Sequence, residues 1–394
     1  MRSSLQPVMK SLPPALGGLL AAAVLLAQAP PAPPPQAGRG GQAVQNGPAR
    51  PPRPEPPAQT TDPQIHDPVM IKQGDTYYAF GTGITVQSSK DLKTWNREPA
   101  PFGRNDLQWP QALGIQGNSQ WAPDISFHNG KYYLYYAVST FGRNRSAIGV
   151  ATNTTLDSKD PTYKWEDHGL VVKSIPGKDM WNAIDPNLIV DEEGKAWLDF
   201  GSFWGGAKLV RLKDSLTEVA DGPAREWHTI AARERYWKLD ETEAGDAANP
   251  DLKYDQLYSK KILALDQQTQ NGALEAPFIF HKNGYYYLFV SWDRCCRGVN
   301  STYKIMVGRS KKVIGPYLDR AGQRMDWGGG TLVVKGVPES KKWAALGHNG
   351  TYAFDGVDYL VFHAYDKTDN GRSKLVIKKI DWDIDGWPSV TLDE

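Results

Sequence analysis

One phrase recurs five times along this chain. A motif carrying an acidic residue or a histidine opens a strand, a short turn follows, and an aromatic-rich strand runs back. The first copy begins at His66-Asp67-Pro68 and turns at Gly74-Asp75 into Thr76–Phe80. The second begins at Trp121-Ala122-Pro123-Asp124 and turns at Asn129-Gly130 into Lys131–Tyr136. The third begins at Asn182–Pro186 and turns at Glu193-Gly194. The fourth begins at Glu275-Ala276-Pro277 and turns at Asn283-Gly284, and the fifth begins at Gly347–Gly350 and turns at Asp355-Gly356. Asn-Gly and Asp-Gly between alternating strands are strong hairpin signals. Aligned on Asp67, Asp124, Asp185, Glu275 and His348, the copies stand 57, 61, 90 and 73 residues apart, and each interval holds one four-stranded sheet with its loops. A β-sandwich also has many short strands but does not restart the same phrase. The repeat therefore predicts an all-β chain folded as a five-bladed β-propeller over residues 63–394. Long helical patterns, which a TIM barrel requires, are nearly absent.

The segment before the repeats is of another kind. Arg2 and Lys10 precede an uncharged run from Ala15 to Ala27, shorter than the roughly 20 residues a spanning helix needs, so residues 1–29 read as a secretion signal. Residues 30–62 are dense in Pro, Gly, Gln and Ala and predict a disordered linker. Once the signal is cleaved, no membrane association is expected. Lys plus Arg number 45 against 44 Asp plus Glu, a net charge of +1 that gives no footprint for nucleic acid and suits a neutral substrate. A single repeat domain without amphipathic helices is expected to be a monomer. The only cysteines, Cys295 and Cys296, are adjacent. Their Cα atoms, about 3.8 Å apart, fall short of the usual disulfide span, so packing is the role expected of them.

In a propeller the first strand of each blade lines the central channel, so the five openings converge at one mouth. Several carboxylates held together repel one another and raise each other's pKa, and glycoside hydrolysis gives such an arrangement a use. An inverting glycosidase needs one carboxylic acid to protonate the leaving oxygen and one carboxylate to activate water. Asp67 is the candidate base and Glu275 the candidate acid. Asp185 is suited to raising the pKa of that acid and orienting it.

Three stretches, Ile65-His66-Asp67-Pro68, Asn182–Pro186 and Leu274-Glu275-Ala276-Pro277, resemble the acidic motifs of glycoside hydrolase family 43. Gly201–Gly206 and Cys295–Tyr303 are most similar to the endo-1,5-α-L-arabinanases of that family. The resemblance runs from about His66 to Trp387. It implies a five-bladed propeller, inversion of configuration, and the same base, modulator and acid roles for Asp67, Asp185 and Glu275. The implied substrate is the plant cell-wall polysaccharide arabinan, cut outside the cell or in the periplasm. His348 taken alone reads as a hydrogen-bonded core residue. The resemblance implies that it holds a metal ion, calcium, in the channel with waters completing the shell, although one imidazole is an odd ligand for a hard cation. Trp121, Phe203 and Trp204 are candidate sugar-stacking surfaces, and His66, Gly142, Asn182 and Ser202 lie in stretches similar to substrate-contacting ones. Tyr132, Tyr133, Tyr286 and Tyr287, inside alternating strands, are expected to pack between blades.

Two other readings fit parts of the pattern. An exo-acting α-L-arabinofuranosidase or β-xylosidase of the same family would keep the three acids in a narrower pocket. A non-catalytic carbohydrate-binding propeller would be expected to lack one of them. The long interval at 225–272 reads as an elaborated loop or inserted hairpin, which could close one end of a groove and so bear on internal versus terminal cleavage, or could equally be surface decoration.

Overall fold

In the computed structural model, the described residues are 59–103, 106–115, 119–176, 179, 181–222, 225–233 and 273–392. The expected signal, the linker up to residue 58 and residues 234–272 of the expected insert lie outside them, while its residues 227–231 are not inserted but form a strand of the third blade. Among the described residues no helix is long and apolar enough to cross a membrane.

The first blade holds β1 (Gln59–Thr60), β2 (Val69–Gln73), β3 (Thr76–Gly81), β4 (Thr85–Ser89) and β5 (Trp95–Glu98), in the order β1-β5-β4-β3-β2. The second is β6 (Gln120–His128), β7 (Lys131–Val138), β8 (Ser146–Asn153) and β9 (Glu166–Ser174). The third is β10 (Asn187–Val190), β11 (Ala196–Phe200), β12 (Ala207–Arg211) and β13 (Trp227–Ala231). The fourth is β14 (Leu274–Lys282), β15 (Tyr285–Trp292), β16 (Lys304–Ser310) and β17 (Thr331–Lys335). The fifth is β18 (Trp343–Phe354), β19 (Val357–Asp366) and β20 (Arg372–Lys379). All pairs are antiparallel. The inner strands β2, β6, β10, β14 and β18 touch in succession, and β18 returns to β2, which closes a five-bladed propeller.

The turns follow the residue chemistry. Asn129-Gly130, Asn283-Gly284 and Asp355-Gly356 have positive φ at both positions, as a two-residue type I′ hairpin requires. Between the turns the strands are buried on both faces. Tyr132, Leu134 and Tyr136 pack toward the first blade, and Tyr133, Tyr135 and Ala137 toward the third. Tyr286 faces the third blade and Tyr287 the fifth, so these tyrosines are packing residues as expected. Five apolar clusters fill the five clefts between neighbouring blades. Each fully buried large side chain contributes roughly 1.5–3 kcal/mol, so cohesion lies between blades more than within them.

The propeller begins earlier than the sequence indicated. β1 pairs with β5 at Gln59–Asn96 and Thr60–Trp95. The following residues cross to the last blade. Ile65 donates its N–H to the Ser373 carbonyl, Leu375 donates to the Pro63 carbonyl, Gln64 bridges Lys374, and Lys374 Nζ reaches Asp62 at 2.5 Å. Residues 63–65 are thus the fourth strand of the fifth blade. Pro, Gln and Asp dominate this stretch and hid its pairing, which is made by backbone atoms.

One core residue breaks the apolar pattern. Asp199 on β11 is fully buried among the residues between the third and fourth blades, and among the described residues neither carboxylate oxygen has a hydrogen-bond partner. Burial, with the Asp124 charge adding, pushes its carboxyl well above the usual range. A carboxyl whose folded pKa exceeds its unfolded value of about 3.9 costs stability as pH rises above that value, because only the unfolded chain can release the proton. Asp199→Val removes both the unmet hydrogen bonds and the titration. The variant should melt several degrees higher, about 1–3 kcal/mol of gain, and the gap should widen between pH 4 and pH 8 in calorimetry. An unchanged or lower melting temperature at both pH values would contradict this account.

Candidate active site

Each blade opens with one non-glycine residue in the left-handed region: Asp67 (φ 55°), Ala122 (φ 38°), Asp185 (φ 58°), Ala276 (φ 51°) and His348 (φ 52°). Four of the five are followed by proline. L-residues avoid this region at a cost of about 1–2 kcal/mol, so the conformation must be held. The backbone N–H of four of these residues donates to a side chain of the preceding blade. Asp67 donates to His363 Nδ1 (3.1 Å), Ala122 to Thr82 Oγ1 (2.9 Å), Ala276 to Asp185 Oδ2 (3.1 Å) and His348 to Ser291 Oγ (2.8 Å).

This register corrects the alignment made on the acids alone. Asp67, Asp185 and His348 occupy equivalent positions. Glu275 lies one residue before its blade's left-handed residue. Asp124 lies two residues after, where it does not open onto the mouth but is buried and accepts the Leu188 N–H at 2.9 Å and an Asn187 amide hydrogen at 3.3 Å. It ties the second blade to the third, and burial raises its carboxyl to about 6 despite those bonds.

Asp67 is the most heavily bonded of the mouth acids. Its Oδ2 accepts the Thr82 hydroxyl, and its Oδ1 accepts His66 Nδ1 at 2.8 Å and His348 Nδ1 at 3.1 Å. Burial opposes ionisation, but His348 and His66 outweigh it and hold Asp67 well below the usual carboxylate range. A carboxylate offers about four lone pairs. Three are taken, and one remains for a water molecule.

The tautomers follow from the donors. The Asp67 N–H makes His363 Nδ1 an acceptor, so His363 Nε2 carries the proton and donates it to the Tyr365 oxygen at 3.1 Å. Cys296 N–H donates to the same oxygen at 2.7 Å. With both lone pairs used, the Tyr365 hydroxyl donates to His66 Nε2 at 3.1 Å. His66 must then carry its proton on Nδ1, where it meets Asp67. Tyr365→Phe removes the hydroxyl that sets this tautomer. The expected loss is about tenfold in kcat with little change in KM; a change confined to KM would reject the positioning role.

The other two acids are held differently. Glu275 accepts the Ser202 hydroxyl on Oε2 and the Tyr303 hydroxyl on Oε1, each at 2.7 Å. Gly347 permits the second bond, since a Cβ there would stand 2.3 Å from the Tyr303 ring. Asp185 is pushed up to about 8, chiefly by burial, with the Glu275 and Asp67 charges adding and His348 opposing. At neutral pH Asp185 therefore retains its proton.

The remaining sequence candidates lie at the same end of the propeller. His66, Trp121, Phe203 and Trp204 are partly exposed, and Gly142 is exposed on the loop between β7 and β8. Asn182 is buried with its Oδ1 accepting the Ser146 hydroxyl at 2.6 Å, and Ser202 holds Glu275. The sequence reading passed over Thr82, Tyr303, His363 and Tyr365. The spacing of His363 and Tyr365, two apart on β19, was the available signal, because period two puts both on one face. Cys295 and Cys296 are joined by a disulfide, not merely packed, and Cys296 Sγ lies 3.8 Å from His66 Nε2.

His66, Asp67 and His363 are close enough to share a metal ion, but His363 Nδ1 is occupied by the Asp67 N–H. His348 fits an ion better. Its Nδ1 faces Asp67, which leaves Nε2 for a ligand and supplies the carboxylate partner that metal-binding histidines use. Two buried atoms on the same strand, Asn349 Nδ2 and Thr351 Oγ1, have no partner among the described residues, as expected beside ordered water. The donor set therefore suits a cation bound through one imidazole and otherwise hydrated.

The family model of glycosyl hydrolases family 43 matches residues 61–388. The chain belongs to this family. It is 47% identical over 329 residues to an extracellular exo-α-(1→5)-L-arabinofuranosidase of Cellvibrio japonicus, covering 83% of this chain and 86% of that one. It is 42% identical over 331 residues to an extracellular endo-α-(1→5)-L-arabinanase of Bacillus subtilis, covering 82% and 87%. Its fold is similar to that of a Cellvibrio cellulosa α-L-arabinanase solved with arabinohexaose, at a TM-score of 0.71 and 46% identity, covering 84% and 96%. The chain is a family-43 glycoside hydrolase, and its mouth acids are the candidate machinery.

Proposed function

We propose that this family-43 hydrolase cleaves 1,5-linked α-L-arabinofuranosyl bonds within arabinan, with inversion, outside the cytoplasm. The observation that carries the chemistry is the contrast between Asp67, a carboxylate held charged by three donors, and Asp185, a carboxyl that burial keeps protonated beside Glu275. Asp67 takes a proton from the water at its free lone pair. Glu275, oriented by Ser202 and Tyr303, protonates the departing glycosidic oxygen. Asp185 keeps negative charge from accumulating beside Glu275 and pins the fourth blade through Ala276. The partly exposed rings of Trp121, Phe203 and Trp204 offer stacking surfaces for furanose rings, and His66 and Gly142 line the same face.

The substrate assignment is supported by the arabinan-directed names of the relatives. Location outside the cytoplasm is supported by the apolar leader at residues 15–27 and by the word extracellular in two of those names. One of the two is described as an exo-acting enzyme, so terminal release is the second reading. His348 would hold calcium, whose charge would stabilise the neighbouring carboxylates in their ionised forms.

The test is product analysis on linear 1,5-α-arabinan. Mixed oligosaccharides appearing early with wild type, and none with Glu275→Ala, are the expected result. A single short product accumulating from the start would establish terminal release, and inactivity on arabinan would reject the substrate assignment.

A further inference from the structure

The loop after β15 brings Tyr303 to Glu275 with one side and walls a second space with the other. Together with the loop after β17, it encloses a cavity of about 410 Å³ lined by residues that include Val299, Tyr303, Lys304, Lys335, Val337 and Lys367. Both loops leave their blades at the end where β14 and β18 begin, so the cavity opens on the face that carries the acids. Its size falls within the usual range for a small-molecule site. Tyr303 is the shared wall, lining the cavity while its hydroxyl binds Glu275.

The charges around this space are unbalanced. Lys304 and Lys335 are direct cross-strand partners on β16 and β17, and like charges placed opposite each other destabilise a sheet. Asp293 offsets Lys304 at 2.6 Å but also binds Arg233 at 3.1 Å. Lys367 spends its hydrogen bonds on the uncharged carbonyls of Ser340 (2.7 Å) and Pro338 (3.3 Å). Among the described residues, three lysines thus line the cavity against one carboxylate. Val299 and Val337 add exposed apolar surface, 48% and 39% accessible, of the kind that the C–H faces of a sugar cover.

We propose that this cavity is an accessory site for a carboxylate-bearing saccharide, a uronosyl unit whose charge completes the lysine cluster. The proposal rests on reading the mouth face as polysaccharide-binding. It predicts that the enzyme engages an acidic sugar beside the neutral chain it cuts.

The experiment is calorimetric titration of the full-length protein with trigalacturonate, arabinotriose and sulfate, repeated on Lys335→Ala and Lys335→Glu. Trigalacturonate should bind with one-to-one stoichiometry. Its affinity should fall at least tenfold in Lys335→Ala, further in Lys335→Glu, and on raising salt from about 50 to about 300 mM. Absence of saturable trigalacturonate binding, binding indifferent to both substitutions, or displacement by sulfate at equal concentration would overturn the proposal. Both variants should hydrolyse linear arabinan at the wild-type rate. Failure of the wild type on arabinan would count against the arabinanase reading alone, because the uronate titration does not depend on turnover.

Discussion

Glu275→Gln should lower kcat on linear arabinan by about a thousandfold or more, the upper part of the range for a general acid. The amide can still accept one hydroxyl from Ser202 or Tyr303, so the fold and KM should change little. The diagnostic is leaving-group dependence. An arabinoside with a good leaving group, such as a dinitrophenolate, needs no proton on its departing oxygen and should lose far less rate than arabinan. Equal losses on both substrates would place Glu275 outside the acid role.

Replacing Asp67 should cost as much, with the opposite diagnostic. At φ 55°, asparagine and glycine are the substitutions the backbone tolerates best, whereas alanine adds strain to the chemical loss. Asp67→Asn should retain the fold and lose about a thousandfold or more in kcat, because an amide cannot take a proton from water. Asp67→Gly opens space at the same backbone angle. Added azide, an anion that needs no deprotonation, should restore a measurable part of its activity and give a glycosyl azide of inverted configuration. The Glu275 variant, whose nucleophile is intact, should gain nothing from azide on arabinan. Rescue of both variants, or of neither, would undo the assignment of base and acid.

The repeats were legible because hairpin turns and aromatic strands are written in local sequence. Asn129-Gly130 and Asn283-Gly284 announce their turns without reference to anything distant. The acids could be found for the same reason, since each stands next to a proline or an Ala-Pro pair at a blade opening. What local sequence does not encode is the partner across a cleft. Nothing near Thr82 says that it receives the Ala122 N–H and passes its own hydrogen to Asp67, and nothing near Asp124 says that its carboxylate is spent on Leu188. Asp124 and Asp185 look alike in sequence, yet two residues of offset along an inner strand separate a tie between blades from a mouth acid. The adjacent cysteines misled for a different reason, because a rule drawn from separated pairs does not govern neighbours in the chain.

The crossing of residues 63–65 to the last blade sets an order of events. The segment that pairs with β20 is among the first parts of the propeller to be synthesised, and its partner is among the last; Asp62 and Lys374 are 312 residues apart. Contacts between such distant residues form late and slowly, so during synthesis residues 63–65 must stay unpaired while five blades form behind them. A chain that stops short of β20 leaves both ends of the ring without their seam. Asp67 stands two residues past that seam and donates its N–H to His363 of the final blade, so the proposed base is set in place only when the ring shuts. An incompletely made chain therefore carries no assembled candidate site.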